Sequence, residues 1–241
     1  MPTKKQRKTM LLAIALLAIT LLIINQTSQM LLQITLISDG FESGDFSAWT
    51  GTYSSGVGAV ISCSNDVAHH GSYSAKVVLS NTIDYAMAEK IFAPQTTIFG
   101  RFYFRVTALP GEVLNDLIKL FYLEGAGVDI LELALIRREA NSLTIRLYEF
   151  YPTGLYKFTS ALDIVVDTWY CLEVKFVKDA SAGEYRLWFN GVEVITHTGL
   201  DTSASPTPDK IDCPFNKQGG TLTNPMVYTD CVVVADAYIG P

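Results

Sequence analysis

The chain has 241 residues, 49% hydrophobic and only 17% charged, which excludes an intrinsically disordered chain and leaves ample length for a core. A formal charge of −6 argues against a general nucleic-acid binder, which needs a basic face to displace counterions. The charge is uneven: residues 1–38 carry Lys4, Lys5, Arg7 and Lys8 and no acid, so residues 39–241 hold 14 basic against 24 acidic residues, a net of −10.

The first four cations precede an apolar run, Met10 to Ile24, broken only by Thr20. Cations followed by about 7–15 apolar residues form the pattern of a secretory signal. A stable spanning helix wants about 20 apolar residues, but the chain turns apolar again from Met30 to Ile37. No clear small-x-small cleavage site follows the run. A cleaved signal and an uncleaved signal anchor therefore both stay open, each a hydrophobic helix ahead of the rest. Either places residues 39–241 outside the cell or at its surface, secreted or held by an N-terminal transmembrane segment. The expected organisation is a signal or anchor with a short linker over 1–38 and one domain over 39–241.

From Asp39 onward no long stretch has helical period. Segments alternate at period two, punctuated by Gly, Pro, Asn and Asp. The spacing predicts strands at Phe99–Leu109, Asp116–Glu124, Ile130–Arg137, Ser142–Phe150, Trp169–Val177, Tyr185–Phe189, Val192–Thr196 and Cys231–Ile239. Asn190-Gly191 signals a two-residue hairpin, because both turn positions need positive φ. Pro206 and Pro208 mark a loop. Many strands without helices predict an all-β, two-sheet antiparallel sandwich. Four cysteines, Cys63, Cys171, Cys213 and Cys231, form no C-x-x-C pair. An even number in an exported chain favours two disulfides of undetermined connectivity, with four buried thiols as the alternative.

Several segments together carry a resemblance. Asp39-Gly40-Phe41-Glu42-Ser43-Gly44-Asp45-Phe46-Ser47-Ala48-Trp49 opens the domain, and His70-Gly71-Ser72-Tyr73-Ser74-Ala75-Lys76-Val77 follows. Trp169-Tyr170-Cys171-Leu172-Glu173-Val174 then precedes Tyr185-Arg186-Leu187-Trp188-Phe189-Asn190-Gly191-Val192, and Val232–Pro241 closes the chain. The succession resembles the concanavalin A-like lectin/glucanase superfamily, closest to its polysaccharide lyase-like and carbohydrate-binding jelly rolls. That resemblance implies two stacked curved sheets, with a glycan groove often on the concave one. Such jelly rolls often hold a structural calcium between the opening segment and the last strand, for which Glu42 and Asp230 are the candidate ligands; the alternative is that these acids cap turns. Cys231 stands where relatives often have a second acidic residue.

The chemistry of such grooves can be sought in the strands. Glycoside hydrolases of the superfamily pair carboxylates at alternate positions of one strand. Asp129 and Glu132 stand three apart, so regular alternation turns them to opposite faces and counts against a glucanase. A polysaccharide lyase needs a cation to neutralise a uronate and a Tyr or His to move protons. Arg101, Tyr103 and Arg105 share one strand face, and Thr144, Arg146 and Tyr148 share another, with Lys119 and Glu132 on neighbouring strands. As a glycan face the candidates are Arg101, Arg105, Lys119, Glu132, Arg146, Tyr148 and Trp188; as a lyase, Tyr103 or Tyr148 would transfer protons. His69 and His70 are expected to be turn residues. The leading expectation is a carbohydrate-binding module whose partner is a polysaccharide or cell-surface glycan, with a lyase of acidic glycans or a structural surface protein as alternatives.

Overall fold

The computed structural model describes residues 33–56, 58–79, 85–111, 116–139, 142–219 and 226–241. The signal or anchor segment lies outside the described residues. Among those described, no helix is long and apolar enough to cross a membrane. Thr35–Pro241 forms one compact unit, so the sandwich takes in four residues ahead of Asp39.

Fifteen strands make up the described fold: β1 (Thr35–Asp39), β2 (Gly51–Ser55), β3 (Val60–Ser64), β4 (Ser74–Val78), β5 (Tyr85–Ile91), β6 (Thr97–Val106), β7 (Leu117–Gly125), β8 (Val128–Glu139), β9 (Ser142–Glu149), β10 (Leu155–Phe158), β11 (Tyr170–Val177), β12 (Gly183–Phe189), β13 (Val192–Leu200), β14 (Lys210–Gly219) and β15 (Met226–Ala235). They pair into two antiparallel sheets. The eight-stranded sheet runs β13-β12-β11-β6-β15-β4-β3, with β1 also on β15; the seven-stranded sheet runs β10-β9-β8-β7-β14-β5-β2. Period-two patterning explains the stacking. On β6, Phe102, Phe104 and Val106 are buried; Leu133 and Leu135 on β8 and Ile145 and Leu147 on β9 meet them from the other sheet in one apolar core.

The expected strands are present, and the last is displaced. β15 runs Met226–Ala235, beginning ahead of Cys231 and ending before Ile239; within it Cys231 takes a positive φ of 50° and the ladder to β6 shifts between Asp230 and Val233. β14 has no counterpart among the predicted strands. Pro214 argues against a strand between two neighbours, yet β14 lies between β7 and β5. The pairing with β5 breaks between Asp212 and Phe215, so the proline sits in the irregularity where no ladder N–H is required.

The disulfide expectation is corrected: all four cysteines are free. Cys213 is fully buried on β14 in the seven-stranded sheet, whereas Cys63, Cys171 and Cys231 sit on β3, β11 and β15 of the other. An even count carries no geometry, and these residues serve as small apolar groups. Burial raises the Cys63 and Cys171 thiols to about 11, keeping them protonated at neutral pH.

Candidate functional site

The outward face of the seven-stranded sheet gathers polar and aromatic side chains through two bulges. On β7, Lys119 pairs with Ala134 and Phe121 with Leu133, leaving Leu120 extra. Leu120 and Phe121 both enter the core, so Lys119 and Tyr122, three apart, emerge on one face. On β8 the register skips Ile130 between Leu131 and Asp129. Ile130 and Leu131 are both core, and Asp129 comes out on the face of Glu132. The opposite-face expectation for these two carboxylates is thereby corrected: it assumed unbroken alternation.

Cross-strand register then sets a row, Tyr122–Glu132–Tyr148–Tyr156, over β7 to β10. Glu132, 2% exposed, is its centre. Lys119 Nζ lies 2.5 Å from its Oε2, Arg146 binds its Oε1, and the Tyr122 hydroxyl donates to Oε2. Lys119 Nζ also donates to Tyr122 Oη at 2.7 Å. Burial by itself would raise the Glu132 carboxyl, but Lys119, the Tyr122 hydroxyl and Arg146 outweigh it and hold the group below the usual carboxylate value. Burial, with Glu132 beside it, pushes the Tyr122 phenol far above its usual range. Beyond Glu132, the Tyr148 and Tyr156 rings stack with centroids 4.3 Å apart, and Arg146 lies over Tyr156 at 5.0 Å. Tyr156 is 53% exposed, an open aromatic platform.

On the other side of Tyr122 a cleft of about 280 Å³ is lined by Tyr85, Met87, Lys119, Tyr122, Glu124, Asp129 and Asp212. Lys210 Nζ sits among three carboxylates: Glu124 at 3.0 Å, Asp212 at 3.5 Å and Glu89 at 3.8 Å. Burial and the neighbouring Glu124 raise the Asp129 carboxyl. Burial and a hydrogen bond with Glu124 raise Asp212 to about 8. Asp129 also lines a second hollow of about 460 Å³ with Gly127, Val128, Phe150 and Tyr151. Asp212, Lys210, Glu124 and Glu89 were not among the sequence candidates. Lys210 and Asp212 lie on β14 and Glu89 on β5, neither among the predicted strands, while Glu124 ends the predicted strand that became β7.

The remaining candidates lie on the eight-stranded sheet and do not meet Arg146 and Tyr148. Arg101 donates to Gly240 O at 2.8 Å, Tyr103 stacks on His69 with centroids 3.7 Å apart, and Arg105 pairs with Asp167 at 2.8 Å. Burial raises the Tyr103 phenol. Trp188 packs against Phe99 and, at 5.3 Å, Tyr238. The chain's own last residues cover this face: Glu173 accepts from Ile239 N at 2.8 Å and Gly240 N at 2.9 Å.

Glu42 and Asp230 do converge, on the turn at residues 69–73. Asp230 Oδ2 accepts from the backbone N–H of His69 at 2.8 Å and His70 at 3.0 Å, while Glu42 Oε1 accepts from Ser72 and Tyr73, each at 2.9 Å. The calcium implied by the resemblance needs clustered oxygen ligands. These carboxylates face N–H donors instead, and among the described residues no group of three or more His, Cys, Asp or Glu side chains is gathered to hold a metal ion.

No protein-family model and no curated protein sequence matches the chain. Solved structures do. The chain is similar to "Cellulose induced protein, Cip1", with TM-score 0.61 and 20% identity over 85% of this chain and 99% of that one. It is similar to a carbohydrate esterase of the Shiga toxin-encoding bacteriophage phi24B, with TM-score 0.57 and 17% identity over 86% of this chain and 100% of that one. A third is a botulinum neurotoxin type C structure whose cell entry depends on two ganglioside molecules, with TM-score 0.57 and 11% identity over 85% of this chain and 48% of that one. At such identities the likeness shows the fold, and the fold is the jelly-roll β-sandwich that the resemblance implied.

Proposed function

We propose that this protein is an exported carbohydrate-binding module that lays a glycan along the outward face of the seven-stranded sheet. The observation that carries the reading is the row on that face: the open Tyr148–Tyr156 platform, the buried Glu132 cluster beside it, and the Tyr122-walled cleft beyond. A stacking surface next to a few fixed polar groups is the composition of a sugar site, where the ring's C–H face packs on an aromatic and its hydroxyls find donors and acceptors. Structural neighbours described as a carbohydrate esterase, a sialidase and a ganglioside-dependent toxin support it at the level of the fold. The cationic tip and apolar run support export.

Glu132 shapes which glycans fit. It already neutralises Lys119 and Arg146, the cations a uronate would need. A glycan array probed with the purified protein and with Tyr156→Ala tests the proposal. Retention of a glycan, weakened about tenfold by the variant, is expected from loss of one stacked aromatic. Retention of nothing, or equal binding by the variant, overturns it. Release of unsaturated product, read in the ultraviolet from uronate-containing glycans, would turn the assignment to a lyase.

A further inference from the structure

Among the described residues, the cleft beside Tyr122 carries more carboxylates than cations. Among the described residues, Lys210 is the ammonium bonded among Glu124, Asp212 and Glu89, while Asp129 enters the same cleft from β8. Lys119, at the cleft's edge, is engaged by Glu132. Asp212 is 2% exposed, yet its Oδ1 takes no hydrogen bond, with Lys210 Nζ 3.5 Å away as its ionic neighbour. A buried carboxyl oxygen without a hydrogen-bond donor costs free energy, and Asp212, which keeps its proton up to about pH 8, can release that proton and accept from a cationic ligand.

The volume decides the ligand's size. About 280 Å³ lies just under the roughly 300–1,000 Å³ of drug-sized sites and suits a single ring. Tyr85, Met87 and Tyr122 in its wall offer surface for the ring's C–H face. A metal ion fits less well, because the described carboxylates are not gathered into a group that could coordinate one. An ammonium does fit: it brings three N–H donors and one positive charge to separated carboxylates.

We propose that this cleft is a subsite for a cationic amino sugar, binding the free ammonium of a hexosamine unit between Asp129 and the Asp212–Glu124 pair. The inference rests on the glycan-binding reading of the same face and names its substrate class. Burial, with Glu124 as a neighbour, raises the carboxyls of Asp129 and Asp212, so a cation bound beside them would offset that cost.

The test is calorimetric titration, near neutral pH, of the purified protein with a β-linked glucosamine oligomer and with its fully N-acetylated counterpart. The free-amine oligomer is expected to bind about tenfold more tightly, in line with one or two charge-assisted hydrogen bonds. Asp129→Asn and Asp212→Asn should each shrink that preference, with thermal unfolding showing that the variants fold. Equal affinity for the two oligomers overturns the inference, as does a preference that survives both variants. Binding of neither oligomer, while another glycan binds and is weakened by Tyr156→Ala, overturns the amino-sugar subsite and leaves the glycan-binding face standing. Failure of every glycan overturns both.

Discussion

Glu132 shows how a single buried carboxylate organises the face. Removing its charge leaves Lys119 and Arg146 without their anion in a partly buried setting, and breaking such a cluster costs about 3 kcal/mol. Glu132→Gln should therefore lower the denaturant midpoint clearly, whereas a loss within error would mean the cluster is solvated. Asp212 acts in the opposite sense. Its folded-state carboxyl titrates near 8, above the ordinary 3.8, so the folded protein keeps a proton that the unfolded chain releases. Stability from this group is greatest below about pH 4 and falls as the pH rises towards about 8. Asp212→Asn should flatten that decline in unfolding free energy measured across the range; an unchanged slope would assign it to other groups. Lys119, Glu132, Arg146 and Tyr148 were legible in the sequence because polar residues alternating with Leu and Ile reveal a strand face. Asp212 was not, because its strand, β14, was not among those predicted.

At the level of elements, irregularities matter more than the regular ladder. Ile130 on β8 and Leu120 on β7 are each one residue too many, and each converts a spacing of three into a shared face. No alternation rule applied to sequence reports this, since the bulge is fixed by the core burying two successive residues. The β12–β13 hairpin is the contrary case. Asn190 and Gly191 take φ of 49° and 78°, as the dipeptide predicts, and Asn190 Oδ1 accepts from Cys171 N at 2.9 Å. Gly191→Ala would set a Cβ 3.1 Å from Pro241 in a left-handed conformation, a cost of about 1–2 kcal/mol. Thermal denaturation should register it as a lowered midpoint; an unchanged midpoint would show that the turn relaxes freely. The cysteines supply a second check at this scale: with all four free, reductant should leave the midpoint where it is.

Across the whole molecule the two outward faces have different fates. The eight-stranded sheet is capped by the chain's own Tyr238–Gly240, which occupies Trp188, Glu173 and Arg101. The seven-stranded sheet keeps Tyr156 open. Arg105→Ala on the capped sheet should consequently leave glycan affinity unchanged while Tyr156→Ala lowers it; the reverse pattern in a binding titration would move the site to the other sheet. The net charge of −10 over residues 39–241 adds a field that draws in a cationic glycan and is screened by salt. Its association rate should fall with ionic strength, and a rate that salt does not alter would remove the field from the account.

The sequence by itself determined the class of fold, strands β6–β9 and β11–β13 and the hairpin turn, because period-two burial and positive-φ turn chemistry are local properties. The uneven charge, a cationic tip and an acidic remainder, was likewise readable by inspection. Only the tertiary structure decided which polar residues share a face. It separated Arg101, Tyr103 and Arg105 from Arg146 and Tyr148 by placing β6 and β9 in different sheets. It joined Asp129 to Glu132 and brought Asp212 and Lys210 beside them, through bulges and through the insertion of β14 between β7 and β5. Strand order and register are settled by how the two sheets bury a common core, and that is a property of the assembled chain.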